Sequence, residues 1–163
     1  MINSYLLPLD RYRQITAVER SSLVDQEFYE AQADATFRTR RDAVIHFFDI
    51  GLAAGLSLNP LFQNEWYRFH TSRDEEPSFL SFFFGAERLN TTSPFFDARV
   101  FATQQENAGR PVPENVRDAM EQFVTTASDS TVLPTPHWAV GTPTWGEART
   151  LAQIGRASCR ERV

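Results

Sequence analysis

The stretch Pro113–Ala127, PENVRDAMEQFVTTA, decides the fold class. Its apolar residues Val116, Ala119, Met120, Phe123 and Val124 recur at steps of three and four, so one helical turn after another brings them to the same face. Pro113 suits the opening of a helix, where its missing N–H has no intrahelical partner to lose. Glu114 adds an acidic first turn, and the polar run Thr125-Thr-Ala-Ser-Asp-Ser130 is a natural stop. The fold class expected from this pattern is mainly α, with α+β as the alternative: four to five helices around a phenylalanine-rich core.

Upstream, residues 1–15 read as an extended or irregular arm, with Leu6, Leu7 and Leu9 around Pro8. Thr16-Ala-Val-Glu19 fits a capping box, in which hydroxyl and carboxylate satisfy each other's exposed backbone N–H groups. A helix from Ala17 to Asp34 is expected to follow it. A second helix, Ala35 to Ala54, carries Phe37, Val44, Phe47, Phe48 and Gly51 on one face, and Gly55 is its expected C-cap. Asn59-Pro60 pairs a good N-cap with a good first helical residue, which predicts a third helix bearing Leu61, Phe62, Trp66 and Phe69. That helix stops in the polar run Thr71–Pro77. Ser78–Gly85 (SFLSFFFG) does not alternate cleanly and reads as helical. Asn90–Pro94 reads as a loop. Ala98–Thr103 alternates and is the best strand candidate, a short helix being the alternative, and Ala108–Pro113 reads as a linker.

Downstream, residues 128–143 are rich in Ser, Thr and Pro and read as an ordered loop or a linker. Thr144-Trp-Gly-Glu147 is another capping box, opening a helix that runs to Gln153. Ile154 to Val163, IGRASCRERV, reads codon for codon as the translation of a common sequencing adapter, ATC GGA AGA GCG TCG TGT AGG GAA AGA GTG, followed by the adapter's own TAG stop, a basic arginine-rich tail being the alternative. The domain organisation expected is therefore a helical domain over 1–127, a loop or linker over 128–143, the start of a truncated helix over 144–153, and a non-native tail over 154–163.

Setting that tail aside removes three arginines, Glu161 and the single cysteine, Cys159, and leaves 13 basic against 20 acidic residues, a formal charge of −7 in place of −5. The native part then has no cysteine for disulfides, thiolate chemistry or Cys-based zinc sites. The chain contains no lysine, which removes Schiff-base and P-loop lysines from consideration. A net negative charge argues against a nucleic-acid partner. No run of about 18 apolar residues occurs and the N-terminus does not resemble a secretory signal, so no membrane association and a cytoplasmic location are expected. With 42% apolar residues and 14 phenylalanines there is material for a substantial core.

Chemistry-bearing residues are sparse. His46 and Asp49, three apart on a helix, have the spacing to face one metal ion, but two ligands do not make a site, and a surface polar pair explains them more simply. Glu27 and Glu30 have similar spacing without an accompanying Glu-x-x-His, so a solvated face accounts for them. Asp74, Glu75 and Glu76 read as a solvated acidic loop. Glu65, Trp66, Tyr67, Arg68 and His70 form a polar–aromatic cluster able to hold a small ligand, although an ordinary amphipathic helix places the same residues. His137-Trp138 sits in the Pro-rich segment, where a large aromatic serves as a binding anchor or as a plug on the core. The candidates are thus His46, Asp49, His70 and His137 for catalysis and Glu65, Trp66, Arg68 and Trp138 for ligand binding. No metal site and no cofactor are expected.

These readings point to an N-terminal fragment of a larger soluble protein, a protein-interaction or assembly module of bacterial or viral origin. Its expected partner is another protein or the remainder of its own chain. The alternative is the N-terminal part of an enzyme whose catalytic residues lie partly beyond the cut. Convergence of two or more of His46, Asp49, Glu65, His70 and His137 in one pocket favours the enzyme, whereas exposure of Phe79, Phe82, Phe83 or Phe84 favours an interface or a core face left uncovered by truncation.

Overall fold

The computed structural model describes residues 8–71, 78–85, 88–135, 143–147 and 149–150. The chain is mainly helical. Among the described residues it forms α1 (Pro8–Arg20), α2 (Gln26–Ala33), α3 (Arg40–His46), a π-helical turn (Phe47–Gly51), α4 (Asn64–Thr71), α5 (Ser78–Phe84), α6 (Ala98–Asn107) and α7 (Val116–Thr126). One two-stranded antiparallel hairpin, β1 (Thr91–Ser93) and β2 (Phe96–Asp97), pairs Thr91 with Asp97 and Ser93 with Phe96 across a bulge. Among the described residues no helix is long and apolar enough to cross a membrane.

Helix starts differ from the sequence reading wherever a cap outcompetes it. Residues 8–15 are helical rather than an irregular arm, with Pro8 at the first helical position. Thr16 therefore lies inside α1 and opens nothing. The expected helix over Ala17–Asp34 is broken at residues 21–25. There the Ser21 hydroxyl accepts the buried Leu23 N–H at 3.1 Å, and Asp25 caps α2 by accepting Phe28 N–H at 3.0 Å. Asp34 closes α2 in the left-handed conformation, φ 53°. The next helix begins at Arg40, not Ala35, because Thr39 and Asp42 form a reciprocal capping box, with bonds of 3.1 and 3.2 Å.

Asn59-Pro60 is a buried turn instead of a helix start. The Asn59 side chain accepts Leu61 N–H at 2.9 Å and donates to the carbonyl of Leu23 at 3.0 Å, which ties the turn to the α1–α2 connection. Helix α4 starts at Asn64. The expected loop at residues 90–94 supplies β1, and the expected strand at 98–103 is the first part of α6. Ala98, Phe101, Ala102 and Gln105 are the buried residues of α6, a three-and-four spacing that a six-residue window of alternation hides. Asp97 settles the matter by capping the helix through Arg99 N–H at 2.9 Å. The helical readings of Ser78–Gly85 and of the Val116 face both hold, α7 being capped by Asn115.

The core is aromatic. Tyr29, Phe47, Phe62, Tyr67, Phe79, Phe82 and Phe96 are each at most 1% exposed. Most of their rings meet tilted or edge to face, as Phe47–Phe79 (4.9 Å), Phe62–Phe82 (4.8 Å) and Phe96–Phe123 (5.5 Å) do, the arrangement favoured by the ring quadrupole. The segment beyond α7 joins the same cluster. Leu133 is buried, Val132 bridges Thr144, and Trp145 packs edge-on to Phe123 at 5.9 Å. Thr144 and Glu147 do form the capping box, with Thr144 N–H to the carboxylate at 2.7 Å and Glu147 N–H to the hydroxyl at 3.3 Å. The tail Ile154–Val163 lies outside the described residues.

Candidate functional site

Among the described residues, two places gather the chemistry-bearing side chains. The first lies where α2 crosses the end of α3. Tyr29, fully buried, meets His46 through a 2.8 Å bond between its hydroxyl and the imidazole Nδ1. The Phe37 ring lies against both, 5.8 Å from Tyr29 and 4.9 Å from His46. Burial pushes the Tyr29 hydroxyl up to about 12, so it keeps its proton. Among the described residues Nδ1 is the acceptor within reach of that hydrogen, so the arrangement that pairs it has the hydroxyl donating and Nδ1 accepting. The π turn follows directly, with Leu52 N–H reaching back five residues to the Phe47 carbonyl at 2.8 Å. This widened turn sets Gly51 against Tyr29, where a side chain would not fit. Asp49 does not share a site with His46. It is exposed and paired with Arg11 of α1.

The second place is the outward face of α4. Tyr67 anchors the helix to the core on one side. On the other, Trp66 donates its indole N–H to the Thr91 hydroxyl at 3.0 Å, which holds the ring against the hairpin. His70 stacks on Trp66 with centroids 4.5 Å apart, and its Nδ1 lies 2.8 Å from the Trp66 carbonyl. A carbonyl only accepts, so Nδ1 carries the proton. Phe69 meets the His70 ring edge-on at 5.2 Å and is 82% exposed. Glu65 and Arg68, both exposed, flank it.

The sequence candidates thus divide. Glu65, Trp66, Arg68 and His70 share α4, while His46 and Asp49 turn to separate partners elsewhere. His137 and Trp138 lie outside the described residues, as do Asp74, Glu75 and Glu76. Glu27 is exposed; Glu30 accepts from Gln26 at 2.9 Å and from Phe37 N–H at 2.8 Å, which holds its carboxyl below the ordinary value. Among the described residues no three His, Cys, Asp or Glu side chains gather closely enough to hold a metal ion. An open groove of about 510 Å³ runs along α7, lined by residues that include Ser22, Glu114, Asp118 and Glu121 but none of the candidates.

Sequence reasoning missed Tyr29 and Phe37, which no local signal links to His46. It takes exposure of Phe79, Phe82, Phe83 or Phe84 as the sign of an interface or an uncovered core face. Phe79, Phe82 and Phe83 are buried, Phe84 is 42% exposed, and the outstanding exposed ring is Phe69. Its place three residues after Trp66 was the available clue. No family model, characterised protein or solved structure matches this chain.

Proposed function

We propose that this chain is a protein-interaction or assembly module, and that the outward face of α4 is its contact surface for a protein partner. The observation that carries the reading is the 82% exposure of Phe69 beside a stacked Trp66–His70 pair. A large ring in water, next to rings already fixed by hydrogen bonds, has the composition of an interface centre: apolar, aromatic and costing little entropy to order. Glu65 and Arg68 supply a rim of both signs, suited to a mixed-charge protein surface, and the net charge of −5 disfavours nucleic acid. The enzyme alternative gains where two or more of the candidates His46, Asp49, Glu65, His70 and His137 meet in one pocket. His46 is engaged with Tyr29, Asp49 with Arg11 and His70 with Trp66, which lends that alternative no support.

The test is photo-cross-linking. A benzoyl-phenylalanine replaces Phe69 in cells that make the protein, with the exposed α6 position Gln104 as control. A discrete adduct at 69 and none at 104 is expected. The captured protein, purified, should bind the unmodified chain about tenfold or more tightly than it binds Phe69→Ser. No adduct at 69, equal adducts at both positions, or equal affinities would overturn the proposal.

A further inference from the structure

We propose that the Tyr29–His46 contact is a pH-sensitive latch, closed when His46 is neutral and released when its imidazole takes a proton. The case rests on geometry. The Tyr29 hydroxyl is buried, and among the described residues its one recorded partner is His46 Nδ1 at 2.8 Å. The phenolic hydrogen needs an acceptor, and among the described residues Nδ1 is the one beside it, so the arrangement that pairs this hydrogen has Nδ1 presenting a lone pair, as the neutral ring with its hydrogen on Nε2 does. Protonation turns Nδ1 into a donor. Among the described residues the phenolic hydrogen then has no acceptor, and a buried donor without a partner is disfavoured.

The surroundings allow no easy adjustment. A Cβ at Gly51 would stand 2.6 Å from the Tyr29 oxygen and 2.8 Å from Phe47, so the hydroxyl already fills the space the π turn leaves. Phe37 closes the ring side of both partners. The hydroxyl finds a new partner only if α2 and the π turn move apart.

The other charged groups on the packed elements are carboxylates and guanidinium groups. On the helix and turn of His46 itself, Asp42 caps Thr39 and Asp49 pairs with Arg11 of α1; Arg41 pairs with Glu19 of α1. Glu27 and Glu30 come from α2, and Asp34 and Arg38 from the connecting turn. Carboxylates and guanidinium groups hold their charges between pH 5 and 8, the interval in which histidine ordinarily changes its own. His70 lies on α4, and its Nδ1 already carries the proton, so protonation at Nε2 preserves its bond to the Trp66 carbonyl. It therefore serves as an internal control.

Amide hydrogen exchange at pH 8 and pH 5, corrected for intrinsic rates, tests the latch. Local opening of α2 and the π turn should rise about tenfold or more at pH 5 in the wild type and in His70→Asn, and should not change with pH in Tyr29→Phe. An equal pH response in Tyr29→Phe and wild type would overturn the proposal. A second measurement needs no variant: long-range proton–nitrogen correlation spectra at pH 8 should show His46 unprotonated at Nδ1 and protonated at Nε2. The opposite tautomer would overturn it as well.

Discussion

Gly51 and Tyr29 are packed so closely that a single methyl group on Gly51 would stand 2.6 Å from the tyrosine hydroxyl oxygen. Gly51→Ala should therefore destabilise the protein by about 1–3 kcal/mol, because Tyr29 is buried and the π turn must shift to admit the methyl. Gly55 supplies the contrast. Its φ of 70° is the left-handed region, yet nothing lies within 4 Å of the added carbon. Gly55→Ala should cost only about 1 kcal/mol, through backbone strain. Urea denaturation of the two variants measures both, and equal costs would count against the packing argument.

Asp97 carries a pH dependence. Its side chain is buried and caps α6, while its partner Arg99 is 62% exposed. Burial pushes its carboxyl up, but the side-chain bonds from Arg99, the backbone N–H bonds and the guanidinium charge together outweigh burial and leave it below the ordinary 3.8. A carboxyl lowered on folding stabilises the folded state above the unfolded value and loses that contribution as pH falls through the folded one. Wild-type stability should accordingly drop below about pH 4, and part of that drop should vanish in Asp97→Asn. At pH 7, Asp97→Ala should cost about 1–2 kcal/mol through loss of the cap, and Arg99→Ala at most about 1 kcal/mol because its exposed guanidinium is screened by water. Thermal unfolding across pH 3–7 gives the comparison.

Asn59 joins two distant segments and is 2% exposed. Asn59→Ala removes the acceptor for Leu61 N–H and the donor to the Leu23 carbonyl at once. A loss of about 2–4 kcal/mol is expected, because both buried backbone groups are left unpaired. Asn59→Ser should not restore the stability lost, since a hydroxyl is too short to span both partners; full recovery in a denaturation curve would show that the Leu23 bond contributes little.

Phe62 and Phe69 lie seven residues apart and differ in burial, 1% against 82% exposed. Phe62→Ala should cost about 3–5 kcal/mol by opening a cavity among Tyr67, Phe79 and Phe82. Phe69→Ser should change stability by no more than about 0.5 kcal/mol. A large destabilisation by Phe69→Ser would mean that the ring supports the fold, and the α4 surface would lose its central feature.

The legible parts of this molecule are those whose cause is local. The Val116–Val124 face, the aromatic helix at 78–84, the left-handed Gly55 and the Thr144–Glu147 box each depend on side chains within one or two turns of each other, so spacing alone reveals them. The errors fall where two local signals compete. Thr16–Glu19 and Thr39–Asp42 both match a capping pattern, and only the second opens a helix, because Pro8 has already started α1 before Thr16 is reached. The alternation at 98–103 loses to a longer helical period once Asp97 caps it.

The functional geometry was out of reach for a different reason. Tyr29 meets His46 across 17 residues, and Asn59 meets the Leu23 carbonyl across 36. Trp66 finds its hydroxyl partner 25 residues away in the hairpin. Hydrophobic periodicity records which residues turn inward along one element, and so the sequence by itself determined a helical chain with a phenylalanine core. It does not record which elements meet. That was decided by tertiary packing, which buried Phe79, Phe82 and Phe83 together with Phe62, set a bare glycine against a tyrosine hydroxyl, and left Phe69 in water on the far side of the helix that Tyr67 anchors.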